Sequence, residues 1–217
     1  WAAGYDGTGV TVAVLDTGID ATHPDLEGTV VTSKSFVSDT AEDGHGHGTH
    51  VASTIVGSGA ASDGQYKGVA PGADLVVGKV LDDEGSGTFA QIVAGMEWAA
   101  QEQDADVISM SLGAEGDSLD GTDPASQAVN SLTASTGALF VIAAGNSGNE
   151  PQTVQTPGVA DAALTVAASQ ESDVIDPIAR FSSRGPRADG VLKPDIAAPG
   201  VNIVAARAAG TALCENS

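Results

Sequence analysis

Cysteine is almost absent from this sequence: of 217 residues only Cys214 carries a thiol. A single thiol cannot close a bridge within the chain, so disulfides are excluded as staples of the fold and the redox compartment is left open. Positive charge is scarce too, with 8 Lys and Arg against 29 Asp and Glu and a net charge of -21. A surface of that sign repels a phosphate backbone, which argues against nucleic acid as a partner. The acidic excess fits plain solubility, a high-salt medium or divalent cations, and it identifies no ligand. Long apolar runs are missing as well. No stretch approaches the roughly 18 residues that a membrane helix needs, and Trp1-Ala2-Ala3-Gly4-Tyr5 opens with no basic region ahead of an apolar one. The expectation is a soluble chain with no membrane partner, its targeting segment already gone. Hydrophobic residues, 41% of the chain, are enough at this length for one core, so one domain over residues 1–217 is expected.

What is present is a recurrence of short apolar runs rich in β-branched residues: Val10 to Leu15, Ala73 to Leu81, Val107 to Met110, Ala138 to Ala143 and Ala163 to Ala167. Each is apolar on both faces, as strands are when helices cover a parallel sheet from both sides. From Thr88 onward Phe89, Ile92, Val93, Met96, Ala99 and Ala100 recur at helical spacing. Asp123 followed by Pro124 reads as a helix cap with proline at the first helical position, and Gly137 closes that helix. Alternation of this kind predicts an α/β fold, a doubly wound parallel sheet with helices on both faces. Its active crevice is expected outside the carboxyl ends of the strands.

Three positions are candidates for chemistry, two of them at such strand ends and one just before an apolar helix. The first run ends in Leu15-Asp16-Thr17-Gly18, a carboxylate beside a residue that frees the backbone to turn; Asp16 reads either as a functional group or as a turn cap. In Gly46-His47-Gly48-Thr49-His50 the flanking glycines let His47 lie close to neighbouring backbone, which favours it as the working imidazole. His50 is expected to pack locally, and His45 and His23 to be exposed. The spacing is not His-Glu-x-x-His and no third ligand pattern appears, so no catalytic metal is expected. Ala143-Ala144-Gly145-Asn146-Ser147-Gly148 puts a carboxamide in a glycine-rich turn, where Asn146 either donates to an oxyanion or stabilises its own loop. A dinucleotide site at Gly7-Thr8-Gly9 fails on order, because those glycines precede the strand instead of following it.

Taken in order, Asp16-Thr17-Gly18-Ile19-Asp20, Gly46 to Ala52 and Ala144 to Gly148 resemble the successive signatures of the subtilisin-like serine peptidases. Further matches fill the intervals: His23-Pro24-Asp25-Leu26, Gly68-Val69-Ala70-Pro71, Ser109 to Gly113, Phe181 to Pro186 and Lys193 to Gly200. The resemblance implies that Asp16 orients His47, that His47 serves as general base and then general acid, and that Asn146 donates to the tetrahedral oxyanion, the three groups facing one another. It further implies that Gly85, Ser86 and Gly87 form one wall and Ser111, Leu112 and Gly113 the other, binding an extended peptide or protein substrate as an added strand. Ala144 and Gly145 would line the floor of a pocket with room for a sizeable apolar side chain. A secreted, monomeric protein is implied, with no cofactor required for chemistry. A structural calcium is possible at Asp25, although the Gly57 to Gly64 stretch offers few side-chain oxygens.

One signature of the family is missing. Its nucleophile sits in Gly-Thr-Ser-Met-Ala, and Gly210-Thr211-Ala212-Leu213-Cys214 shares only the first two letters. Ser217 is terminal and Cys214 has no basic partner in its local sequence, so neither is expected to be a nucleophile. Trp1 also looks internal to the family's domain. The expectation is therefore a peptidase domain truncated at both ends and inactive as it stands. The alternative is a pseudopeptidase that binds extended peptides without cutting them.

Overall fold

The computed structural model describes residues 4–116, 119–172, 175–211 and 213. Trp1, Ala212, Cys214 and Ser217, considered above, lie outside them. The chain divides into two compact units, Trp1–Ser109 with Val204–Ser217, and Met110–Ile203.

In the first unit the strands are β1 (Thr11–Asp16), β2 (Val30–Ser35), β3 (Asp74–Lys79) and β4 (Val107–Met110), with the last residue of β4 opening the second unit. They stand in the order β2-β3-β1-β4, and β1 pairs in parallel with both β3 and β4. Five of six residues in β1 and in β3 are buried, which is why both read as unbroken apolar runs. Helix α1 (His47–Val56) packs its small face, Gly48, Thr49, Ala52, Ser53 and Val56, toward the interior. Ala52 and Val56 join Val12, Val14, Leu75 and Val77 in one apolar cluster; each Val or Leu side chain stabilises by about 1.5–3 kcal/mol when fully buried.

Helix α2 (Phe89–Glu97) starts where the sequence indicates. Thr88 caps it through a reciprocal capping box with Gln91. The apolar spacing continues to Ala100, but the backbone does not stay α-helical, since Trp98–Glu102 forms a π-helical turn.

The second unit holds α3 (Pro124–Thr136), β5 (Leu139–Ala143), β6 (Leu164–Ser169) and β7 (Ile196–Pro199), with strand order β5-β6-β7, all parallel. Asp123 Oδ1 accepts from Ser126 N at 3.0 Å, and Gly137, at φ 83°, closes α3 through its amide to Thr133 O. Both ends are as the sequence indicates. Strands β2 and β7 were not foreseen. Both lie at strand-order ends and are largely open to solvent, so neither carries the doubly apolar signature.

Candidate active site

Asp16 is the last residue of β1, and its carbonyl accepts from Val80 N at 2.9 Å and Leu81 N at 3.1 Å, fixing the strand end. The chain must then turn sharply. Gly18 adopts φ 113°, and any β-carbon there would press against the carbonyls of Ala41 and Glu42. Helix α1 arrives over this same turn. A β-carbon on Gly48 would collide with the carbonyl oxygen of Gly18, so two glycines let the helix come close enough to set His47 beside Asp16.

The two expected partners are in contact: His47 Nδ1 lies 2.7 Å from Asp16 Oδ1. The carboxylate is fully buried, while the imidazole side chain keeps 35% of its surface accessible. Asp16 Oδ1 also accepts from Thr17 N at 2.7 Å. That hydrogen bond from His47 raises the imidazole above its usual 6.5, against burial, which lowers it; the charges of Asp16 and Asp43 add to the rise.

Asp43 is a residue that sequence reasoning missed. It is buried, and its carboxylate accepts five hydrogen bonds, from Thr17 Oγ1 (2.8 Å), His45 N (3.1 Å), Gly46 N (2.7 Å), Thr49 N (2.8 Å) and Thr49 Oγ1 (2.6 Å). Burial alone pushes its carboxyl up, yet the bonds from Thr49, Gly46 and Thr17 outweigh that and hold it below the ordinary 3.8. Asp43 thereby does the work of a cap. The N-cap Gly46, at φ 103°, has no side chain to offer, and the free amides of the first turn go to Thr17 Oγ1 from Gly48 (2.9 Å) and to Asp43 from Thr49. An Asp three residues before a glycine N-cap and six before a Thr was the available signal.

Two of the remaining histidines differ from expectation. His23 and His45 are half-buried rather than exposed; His23 Nδ1 accepts from Asp25 N at 3.1 Å, and the His45 ring meets that of His47 edge-on with centroids 6.3 Å apart. Crowding among short turns buries them, which composition alone does not reveal. The backbone carbonyl of His50 accepts from Ser53 Oγ at 3.1 Å and from Thr54 Oγ1 at 2.8 Å.

Asp25, the residue at which a structural calcium is possible, is buried. Its Oδ1 is taken by Ala61 N at 2.7 Å and its carbonyl by Ser58 N, so it ties down the Gly57 to Gly64 loop directly. Among the described residues no group of three or more His, Cys, Asp or Glu is placed to hold a metal ion.

Of the expected substrate walls, Gly85, Ser86 and Gly87 belong to the first unit. Asp82 shapes their turn, its Oδ1 accepting from Glu84 N (3.0 Å) and Ser86 N (2.8 Å). Ser111, Leu112 and Gly113 belong to the second unit and follow β4 directly; the Ala114 to Thr156 bridge comes next. Asn146 is exposed in the turn after β5. That turn is held by Ser147 N to Ser183 Oγ (3.0 Å) and Gly148 N to Phe181 O (2.9 Å). Ala144 is buried, and Gln155, another residue the sequence reading missed, donates its amide to the Ala144 carbonyl. The Gln155 side chain stands where β-carbons of Gly113 and Gly145 would point, and its Nε2 donates to Ser147 Oγ at 2.9 Å. The space over Gly145 is therefore lined by a carboxamide.

A family model described as the subtilase family, peptidase S8, matches residues 7–217. Serine protease AprX of Bacillus subtilis is 46% identical over 217 residues, covering 93% of this chain and 48% of AprX. Subtilisin DY of Bacillus licheniformis is 42% identical over 208 residues, covering 93% of this chain and 68% of that protein. The solved structure of sphericase superposes with a TM-score of 0.83 at 35% identity, over 95% of this chain and 71% of that one. The doubly wound parallel fold expected from the sequence is the fold of that neighbour. The chain spans about half the length of AprX.

Proposed function

Because this chain belongs to the subtilase family of serine peptidases, we propose that it is the part of a serine endopeptidase domain that supplies the base and the oxyanion donor for cutting extended polypeptides. The observation that carries this reading is the 2.7 Å contact between His47 Nδ1 and a fully buried Asp16. With Nδ1–H donated to Asp16, the free lone pair of the imidazole is on Nε2. That nitrogen takes the proton of a serine hydroxyl as it attacks the scissile carbonyl, then returns it to the leaving amine. Asp16 keeps the ring in that tautomer and stabilises the imidazolium formed in between. Asn146 donates to the oxyanion, a charge present only during reaction, so its effect falls on the transition state and not on substrate binding.

Gly85 to Gly87 and Ser111 to Gly113 pair with substrate backbone, and Ala144 and Gly145 floor the pocket for one side chain. In this reading the protein is secreted and monomeric, and no step runs through calcium. The 217 residues contain no Gly-Thr-Ser-Met-Ala segment, so the chain by itself does not turn over peptide. The test is labelling by a fluorophosphonate probe, together with hydrolysis of an extended peptide, on this chain and on the product of its full reading frame. We expect no labelling of the former, and labelling with hydrolysis of the latter, lost in His47→Ala. Stoichiometric labelling of the 217-residue chain would overturn the assignment. A full product that binds extended peptides but neither labels nor cleaves is a pseudopeptidase.

A further inference from the structure

One buried cation takes no part in this chemistry. Lys79, the last residue of β3, is 2% exposed and sits abreast of Asp16 in the β1–β3 register. Its ammonium donates to the carbonyl oxygen of Thr17, the residue after Asp16, and to Asp83 Oδ1 at 2.7 Å. The same Asp83 oxygen accepts from Gly44 N at 3.3 Å, and a β-carbon on Gly44 would run into the carboxylate. Successive amides of the histidine loop are thus held by two carboxylates, Gly44 by Asp83 and then His45 and Gly46 by Asp43. Asp83 lies in the turn that Asp82 shapes, where Gly85 comes against the ring of His45.

We propose that Lys79 and Asp83 are a positioning pair, which ties the end of β1, the histidine loop and the 82–87 turn to one another and so sets the Asp16–His47 geometry through Thr17 and Gly44. Removing a buried lysine's partner leaves an uncompensated charge, and removing the lysine frees both the Thr17 carbonyl and Asp83. The pairing holds the Asp83 carboxyl below its ordinary value, the Lys79 hydrogen bond being the first cause. The ionisable groups in contact with the histidine loop are Asp16 on β1, through His47, Asp43 and Asp83, through the loop amides they accept from, and His45, whose ring meets that of His47; Lys79 on β3 reaches it through Asp83. The proposal rests on the peptidase reading only for calling the 82–87 turn a substrate wall, and its test needs no substrate and no nucleophile.

The experiment is NMR on the 217-residue chain and its Asp83→Ala, Asp83→Glu and Lys79→Met variants, following the His47 titration and amide exchange at Gly44 and Gly85. Positioning predicts exchange faster by about tenfold or more at both amides in Asp83→Ala, with near wild-type values restored in Asp83→Glu. It also predicts that the His47 midpoint falls in both Asp83→Ala and Lys79→Met, because the bond to Asp16 loosens. Simple charge effects predict the opposite sign for Lys79→Met, since loss of a nearby cation raises an imidazole. A raised midpoint there, or faster exchange confined to the turn while Gly44 and His47 stay as in the wild type, overturns the proposal. If Lys79→Met does not fold, Asp83→Ala with its Glu counterpart decides. Loss of peptidase activity in a complete domain with these NMR results intact would count against the functional reading alone.

Discussion

Replacing Asp43 by asparagine changes almost no volume and asks how much the histidine loop owes to one buried charge. With Oδ1 kept toward Thr17, His45 and Gly46, the new amide group faces Thr49 N and Thr49 Oγ1, which now stand 2.8 and 2.6 Å from Asp43 Oδ2. The Thr49 hydroxyl already accepts from Asp20 N at 2.9 Å, so its proton loses its acceptor. The Thr49 amide, in a residue with no exposed surface, is left against another donor, at about 1–3 kcal/mol. The three bonds that survive change from charge-assisted to neutral and weaken further. Flipping the amide makes matters worse, because three donors then meet an NH2 group. Allowing for partial relaxation, the loss is about 3 kcal/mol, which in a chain of this length lowers Tm by roughly 6–12 °C. Thermal unfolding by circular dichroism measures it, with Thr49→Val as the partner variant that keeps the carboxylate. The His47 midpoint should fall as well, since the Asp43 charge helps to raise it. A Tm change below about 2 °C, with His47 titrating as before, would refute the claim that this carboxylate organises the loop.

Two further outcomes follow from the site. The raised His47 midpoint means that its pairing with Asp16 stabilises the fold fully below the unfolded value near 6.5 and loses that contribution as pH rises through the higher folded value; Tm measured against pH should show this step, and His47→Gln should remove it. Since the base must be neutral, peptidase activity of a complete domain should rise over the same interval. Gly48→Ala forces a methyl group into the Gly18 carbonyl, with backbone on both sides; we expect about 2–3 kcal/mol of destabilisation in urea unfolding, and weakening of the low-field His47 Nδ1 proton signal as α1 moves off. A variant with wild-type stability and an unchanged signal would show that the close approach is not needed.

The linear order of residues by itself determined the strands whose two faces are both buried. Val12 to Leu15 and Leu75 to Val77 are apolar throughout and buried at every position, as parallel strands covered on both faces are, and that pattern survives in one dimension. It also determined the capped ends of α2 and α3, since Thr88 with Gln91 and Asp123 with Ser126 act within a few residues of each other. The pairing of Asp16 with His47 was legible from motifs at both ends of a 31-residue separation, though not from periodicity.

Tertiary structure alone decided the rest. Strands β2 and β7 exist because a neighbour offers backbone partners, and their half-exposed side chains announce nothing. Asp43 and Asp83 stand in polar turns of the sequence, and Lys79 is a lone charge inside the apolar Ala73 to Leu81 run, with no local sign of a partner. They become organising groups only when the folded chain buries Asp43 and Lys79 and brings to them donors and acceptors from Thr17, Gly44, Gly46 and Thr49. The physical reason is that a charge removed from water must find its partners in space, and those partners are set by how the turns converge, which no local pattern encodes.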